Sequence, residues 1–332
     1  MTTPPIYAAG IAAFMTALRT RMADMPQSRD PAARRDRFEV YAERFDLPVP
    51  PGISIRDVFL AAPGREVALR LYRPAGPDAT FATILYLHGG GFVTGSIASY
   101  HAVAANIAAW AGLQLALLHY RRAPENPHPA ALDDVVLALD WLDAAGPGGA
   151  KRFALAGESA GATLAVSAAI AVRDRGGPPI AALGLLCPGP LGSETGPAWI
   201  ATHGDDPVVN PGDIAAYIDA YLGATPRPCA EAFPLDGARL AGLPPTLLHL
   251  AEHDPLRPQG DALSAALRQA GVPVHDGLAK GMIHSLLRAA AMGGAARAEA
   301  ELFARQLGEL VRTGSMAALA AMRRDEAPSC RA

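Results

Sequence analysis

The sequence predicts an α/β protein in which a parallel sheet is covered by helices on both faces. Two observations carry the expectation. Short, wholly apolar runs such as Thr83–Leu87 and Thr246–Leu250 alternate along the chain with longer segments of helical period. A strand buried on both faces has no solvent side, so its residues are apolar in succession rather than in alternation. The 33 glycines and 30 prolines are scattered without a period or a proline-rich run. They read as turn punctuation in a loop-rich chain, not as a fibre.

Taken in order, Ala8–Met22 has helical spacing through Ile11, Phe14, Met15, Leu18 and Met22. Asp30–Phe45 repeats it with Phe38, Tyr41 and Phe45, and Pro48, Pro50 and Pro51 end the helical region. Ile53–Leu60 and Val67–Tyr72 are β-rich or alternating, and the apolar Thr83–Leu87 follows. Ala102–Leu118 is the most membrane-like stretch, but Asn106, Gly112 and Gln114 interrupt it. It reads as a helix feeding a strand over Leu113–His119. Helix Pro129–Ala144, strand Arg152–Ala156, helix Ala160–Arg175 and strand Ile180–Leu186 come next. Residues 190–235 break this rhythm with loops, Trp199 and one helix, Ile214–Leu222. Strand Thr246–Leu250, helix Gln259–Ala270, strand Val272–Asp276 and helix Ala295–Val311 then resume it. The chain divides into N-terminal helices (1–50), a first core part (51–189), an insertion (190–235), a second core part (236–312) and a loosely attached tail (313–332).

Composition sets the outer bounds. A chain of 332 residues, half of them hydrophobic and 18% charged, can bury a sizeable core, which excludes wholesale disorder. The 29 Lys and Arg against 32 Asp and Glu give a net charge of −3, so no nucleic-acid or membrane partner is expected. Cys187, Cys229 and Cys330 are odd in number and far apart, which fits a reducing compartment rather than a disulfide framework. The start, Met-Thr-Thr-Pro-Pro-Ile-Tyr, lacks the basic and apolar regions of a secretory signal, and a cytoplasmic location is expected. No cluster of His, Cys, Asp or Glu has metal-ligand spacing, so neither metal nor cofactor is expected. Monomer and homodimer both fit.

The chemistry begins at Gly157-Glu158-Ser159-Ala160-Gly161, between the strand ending at Ala156 and the helix starting at Ala160. A G-x-S-x-G turn needs its glycines because the chain reverses too sharply for flanking side chains, leaving a strained serine with its hydroxyl exposed. The pentapeptide alone arises by chance about 0.1 times in such a chain; the strand-turn-helix context gives it weight. His88-Gly89-Gly90-Gly91 follows the strand Thr83–Leu87. Three glycines bare the backbone N–H groups, which with the N–H of Ala160 can hold a tetrahedral oxyanion. A phosphate loop would need an immediate helix and a Lys, Ser or Thr, which Phe92-Val93-Thr94-Gly95 does not clearly supply.

A nucleophilic serine needs a base and an acid to orient it, in the order Ser, Asp or Glu, His on loops after late strands. Asp254 follows the strand Thr246–Leu250, and His284 follows Val272–Asp276. Glu252 and His253 are decoys: the first lies close to the strand end, the second sits on the acid loop. His101, His119, His128, His203, His249 and His275 read as structural or surface residues.

Several segments together carry a resemblance: HGGGF at 88–92, YRRAPENPHPAALDD at 120–134, GESAG at 157–161, DPLR at 254–257 and GMIH at 281–284. In this order, over residues 53–310, the chain resembles the bacterial hormone-sensitive-lipase family of α/β-hydrolase esterases. The resemblance implies an eight-stranded, mostly parallel sheet with a helical cap built from the N-terminal helices and the 190–235 insertion. It implies Ser159, Asp254 and His284 as the triad and Gly89, Gly90 and Ala160 as oxyanion donors. Glu158 stands where many members carry Asp, Arg122 where an apolar residue is usual, and Ser285 where glycine is common.

The expected activity is that of a serine carboxylesterase on short- to medium-chain esters. His284 takes the Ser159 proton during attack and returns it to the leaving alcohol, and water repeats the cycle on the acyl-enzyme. Phe14, Met15, Phe38, Tyr41, Trp199, Tyr217 and Tyr221 could close an apolar pocket over the serine or simply dock the cap onto the core. Phe92, Leu256 and Ile283 flank catalytic positions and are the expected lining. The alternatives are an arylformamidase or amidase on the same framework, and a non-catalytic small-ligand receptor of the kind that has lost the histidine.

Overall fold

A computed structural model describes residues 5–25, 27–76, 82–145, 152–193, 209–237 and 239–322; Trp199, His203 and Cys330 lie outside them. Eight strands form one sheet: β1 (Ser54–Ala62), β2 (Arg65–Arg73), β3 (Thr83–Leu87), β4 (Gln114–His119), β5 (Phe153–Glu158), β6 (Leu183–Leu186), β7 (Thr246–Ala251) and β8 (Val274–Ala279). Their order is β1-β2-β4-β3-β5-β6-β7-β8. Pairing is antiparallel at β1–β2 and β2–β4 and parallel from β4 to β8.

Successive residues of a strand point to opposite faces, and the central strands supply two cores in this way. Leu85, Leu87, Ala116, Leu118 and Leu155 face one core, and Ile84, Tyr86, Leu115, Leu117 and Ala156 face the other. Helices α4 (Ala130–Ala145), α5 (Ala160–Asp174) and α8 (Arg257–Gln269) cover the first face. Helices α3 (His101–Ala111) and α10 (Gly294–Thr313) cover the second, together with the N-terminal α1 (Ile11–Arg21). That double cover is why the central strands read as unbroken apolar runs. The edge strand β1 is mostly exposed, with Asp57 beside the apolar Ile55 and Phe59 on its open face.

Helix α2 (Pro31–Arg44) follows α1, and α6 (Pro211–Leu222) and the short α7 (Pro234–Gly237) lie between β6 and β7. Arg34 of α2 joins them, pairing with Asp213 at 2.6 Å and lying over the Tyr217 ring at 4.9 Å. Asp30 caps α2 by accepting from the Ala33 amide at 2.9 Å.

The structure differs from the expectation in several places, among them β8, which spans Val274–Ala279 rather than Val272–Asp276. β6 starts at Leu183 rather than Ile180, because residues 178–182 approach the sheet outside the strand. A short helix, α9 (Leu286–Ala289), follows His284. The tail is not wholly loose: Met316–Ala321 forms α11, with Leu319 fully buried and its carbonyl accepting from Gln306 at 3.1 Å. Among the described residues, no helix is long and apolar enough to cross a membrane.

Candidate active site

The parallel strands end together, and each loop leaving their carboxyl ends brings one part of the site. The turn after β5 puts Ser159 at φ 55°, ψ −125°, a left-handed position rare for a side-chain residue. Its neighbours explain why it must be so tight. A Cβ on Gly161 would lie 2.1 Å from the Leu87 carbonyl oxygen, and one on Gly157 would lie 2.5 Å from the Gly161 backbone.

His284, on the loop after β8, places Nε2 2.9 Å from Ser159 Oγ and Nδ1 2.7 Å from Asp254 Oδ2. Asp254 comes from the loop after β7, is 1% exposed, and its other oxygen accepts from the Leu256 amide at 2.7 Å. The structure thus brings all three predicted residues into one hydrogen-bonded line. A carboxylate held this way fixes which imidazole nitrogen carries the proton and leaves the other as an acceptor facing the hydroxyl.

Glu252 and His253 join the acid and histidine loops instead of lining the site. Glu252 Oε2 accepts from the Gly281 amide at 2.7 Å, and the His253 amide donates to the Met282 carbonyl at 2.8 Å. The His253 ring reaches the Ile6 carbonyl at 2.9 Å. The Ala8 amide donates to the Gly281 carbonyl at 3.0 Å, so the early chain is fastened to the loop that carries the histidine.

The loop after β3 lies beside Ser159. Tyr120 donates from its hydroxyl to the His88 carbonyl at 2.8 Å, and His88 Nδ1 bonds the Gly89 carbonyl at 2.9 Å. In a trans peptide the N–H points opposite its carbonyl. Pinning these two carbonyls therefore aims the N–H groups of Gly89 and Gly90 away from Tyr120 and the His88 ring. Burial pushes the His88 pKa down to about 3, so the ring is neutral and its Nδ1 carries the proton donated to Gly89. The His88 ring stacks on Tyr120 at 4.1 Å, and a Cβ on Gly95 would strike it at 2.4 Å. Arg122 steadies the same loop by donating to the Gly95 carbonyl at 2.8 Å.

A cavity of about 710 Å³, including its mouth, opens over Ser159, within the range of roughly 300–1,000 Å³ usual for small-molecule sites. Phe38 and Tyr41 of α2, Ile214 and Tyr217 of α6, and Leu256 line it with His284. Of the three expected lining residues, only Leu256 reaches it. Phe92 has φ 66° and is fully buried, with its ring stacked on Tyr221 at 3.9 Å. Ile283 is fully buried in the core on the α3 side.

Residues that sequence reasoning missed line the same cavity. Arg288 on α9 is buried, donates to Asp46 Oδ1 at 2.8 Å and to the Ser99 carbonyl, and lies over the Tyr100 ring at 5.0 Å. Tyr100 donates to Glu158 Oε1 at 3.2 Å. Burial pushes the Glu158 carboxyl pKa up, against the opposing pull of Arg288 and His284. Ser285, which the sequence had singled out beside the histidine, also lines the cavity. Nothing in the sequence marked Arg288, since the helix that carries it, Leu286–Ala289, is a single turn and His284 lies outside it.

Among the described residues, one group has donor atoms close enough for a metal: Cys187, Asp254 and His284, all within 4.8 Å of one another. Cys187 had not been placed there from sequence. Both nitrogens of His284 already face Asp254 and Ser159.

Comparison with known proteins agrees with this architecture. Residues 84–288 match a family model described as an alpha/beta hydrolase fold. Over 244 residues the chain is 36% identical to Esterase LipI of Mycobacterium tuberculosis, covering 71% of this chain and 76% of that one. It is equally identical, over 244 residues, to an acetyl-hydrolase of Streptomyces hygroscopicus, with 73% and 77% covered. The crystal structure of DphMB1 superposes with a TM-score of 0.82 at 30% identity, covering 92% of this chain and 99% of that one. The chain belongs to the α/β-hydrolase family, in its hormone-sensitive-lipase-like esterase group, and is an ester hydrolase.

Proposed function

We propose that the protein is a serine carboxylesterase of short- to medium-chain esters, with Ser159 as nucleophile, His284 as general base and acid, and Asp254 as the acid that orients it. The observation that carries the reading is the line from Ser159 Oγ through His284 to Asp254, at 2.9 and 2.7 Å. Attack by Ser159 on the ester carbonyl passes its proton to His284, and the imidazolium is stabilised by Asp254. The oxyanion is held by the N–H groups of Gly89, Gly90 and Ala160. This is supported by the pinned carbonyls of His88 and Gly89 and by the place of Ala160 at the first turn of α5, where amides lack helical partners. His284 then protonates the leaving alcohol, and water repeats the sequence on the acyl-enzyme.

The cap is formed by residues 1–50 and 190–235, closing over the core parts 51–189 and 236–312. Support for it is that α2 and α6 line the cavity and are tied by Arg34 and Asp213. Cys187 and Cys229 are thiols, not disulfides, which fits a cytoplasmic setting. The receptor reading requires a lost histidine, and His284 is in register with the serine.

Hydrolysis of p-nitrophenyl esters from acetate to palmitate tests the reading. Turnover should peak at short chains, and Ser159→Ala should lower it by roughly four orders of magnitude or more with the thermal midpoint retained. A folded Ser159→Ala variant keeping most of its activity would falsify the triad.

A further inference from the structure

The cavity over Ser159 does not end at the serine. Phe38, Tyr41, Thr94, Asp213 and Tyr217 also line a second cavity, of about 540 Å³ including its mouth, under the N-terminal helices. Its further walls are Leu18, Met22 and Gln27, with two cations, Arg34 and Arg37. On α2 the residues 34, 37, 38 and 41 fall at i, i+3, i+4 and i+7, which places them along one face. Helix α2 therefore runs its inward face from one cavity into the next.

The two arginines differ. Arg34 is committed: it donates to the Ser28 carbonyl at 2.7 Å and to Asp213 at 2.6 Å, and it covers the Tyr217 ring. Arg37 has no carboxylate partner among the described residues. Its one hydrogen bond is a long 3.4 Å contact to the Met22 carbonyl. The nearest acids are taken, since Asp24 is bound by Arg44 through two bonds and Asp213 by Arg34. The charged lining of this cavity is thus two cations against one anion, beside the apolar Leu18, Met22 and Phe38, the aromatic Tyr41 and Tyr217, and the polar Gln27 and Thr94. A guanidinium with unused donors in a partly buried chamber of mixed walls, one side of them aromatic, is suited to a planar anion at the end of a hydrocarbon arm.

We propose that Arg37 receives an anionic group of the substrate, so that the preferred esters carry a carboxylate on an arm reaching from Ser159 into the second cavity. This rests on the esterase reading of Ser159 and deepens it to a substrate class. The hydrocarbon part of the arm lies against Phe38, Tyr41 and Tyr217, and the carboxylate accepts from the Arg37 guanidinium.

Two ester series test this, each paired with neutral esters of equal chain length: mono-p-nitrophenyl esters of dicarboxylic acids from succinate to sebacate, and acetate esters of ω-hydroxy acids. The first carries the anion on the acyl arm, the second on the alcohol arm. In wild type, kcat/KM for one series should exceed that of its neutral partners at a defined chain length. That ratio should fall about tenfold in Arg37→Gln, hold in Arg37→Lys, and shrink with added salt. A wild-type ratio at or below one in both series overturns the proposal, as does a ratio unmoved in Arg37→Gln. Competition measured on wild type alone guards against a variant that fails to fold: medium-chain alkanoates should inhibit p-nitrophenyl acetate hydrolysis more strongly than alcohols of equal length, and equal inhibition counts against the anion site. Absence of p-nitrophenyl acetate hydrolysis would instead overturn the esterase reading beneath it.

Discussion

Gly161 carries as much of the site's geometry as Ser159 does. With a Cβ there only 2.1 Å from the Leu87 carbonyl oxygen, α5 could not start where it does without pushing the β3 loop aside. Gly161→Ala should therefore destabilise the protein by about 3 kcal/mol, the upper range for overpacking, read as a lowered urea midpoint; an unchanged midpoint would contradict the packing argument. Asp254→Asn tests the neighbouring link. It keeps the shape but presents the wrong hydrogen-bonding partner to His284, and kcat should drop by roughly 10⁴ with KM little changed. Ser159 and Asp254 could be brought together from sequence because each follows an apolar strand, β5 or β7, and His284 because it follows the next strand, the mixed β8. Phe92 and Ile283 could not be placed that way. Adjacency along the chain does not fix the direction of a side chain, and the positive φ at Phe92 turns its ring into the core. Tyr100 and Arg288 were equally hidden, since Arg288 meets Asp46 across 242 residues of chain.

At the scale of elements, Asp134 on α4 holds three parts together. It is fully buried, and it accepts from the Arg121 amide at 2.9 Å, from Arg121 Nε at 2.9 Å and from Arg65 Nε of β2 at 3.1 Å. Both arginines are a little over a quarter exposed, so solvent screens part of the attraction. Asp134→Ala should cost about 2 kcal/mol, within the range for hydrogen bonds to charged groups, and should lower the thermal midpoint without altering KM for a short ester. A KM change would mean that the Arg121–Ala123 segment also shapes the cavity. Long elements such as α8 and α10 were legible because several turns repeat one buried face. The six-residue α11 was not: one buried residue, Leu319, leaves no period to detect, and the helix is held by Gln306 and the Ser315 cap. The start of β6 differs for a related reason: Ala181 and Ala182 already bond β5, so the apolar run does not mark where the strand itself begins.

Across the whole molecule, the histidines set the response to acid. Burial lowers the pKa of His88, His101, His119, His128 and His275. A base whose folded pKa lies below its unfolded value binds more protons when unfolded. Stability is then fully present above the unfolded pKa, about 6.5, and is lost as pH falls toward the folded value, about 3 for His88. The carboxylates held low by arginines, such as Asp24, Glu125 and Asp276 at about 2, give way only in stronger acid. The thermal midpoint should accordingly decline already between pH 6.5 and 5, and the decline should be shallower in His88→Asn if that variant folds; a flat profile to pH 5 would show that the buried histidines do not govern it. The fastening of residues 6–8 to Gly281 and His253 has a further consequence during synthesis. Its two sides are separated by more than 240 residues, so a segment made early waits for one made much later. Until then α1 and α2 must keep their apolar faces without their final partner, exposed to aggregation or in the care of a chaperone, as long-range contacts form late. A nascent chain stalled before His284 emerges would hold Ser159 and Asp254 without the histidine between them and should turn over no ester, with activity appearing abruptly once that residue is out.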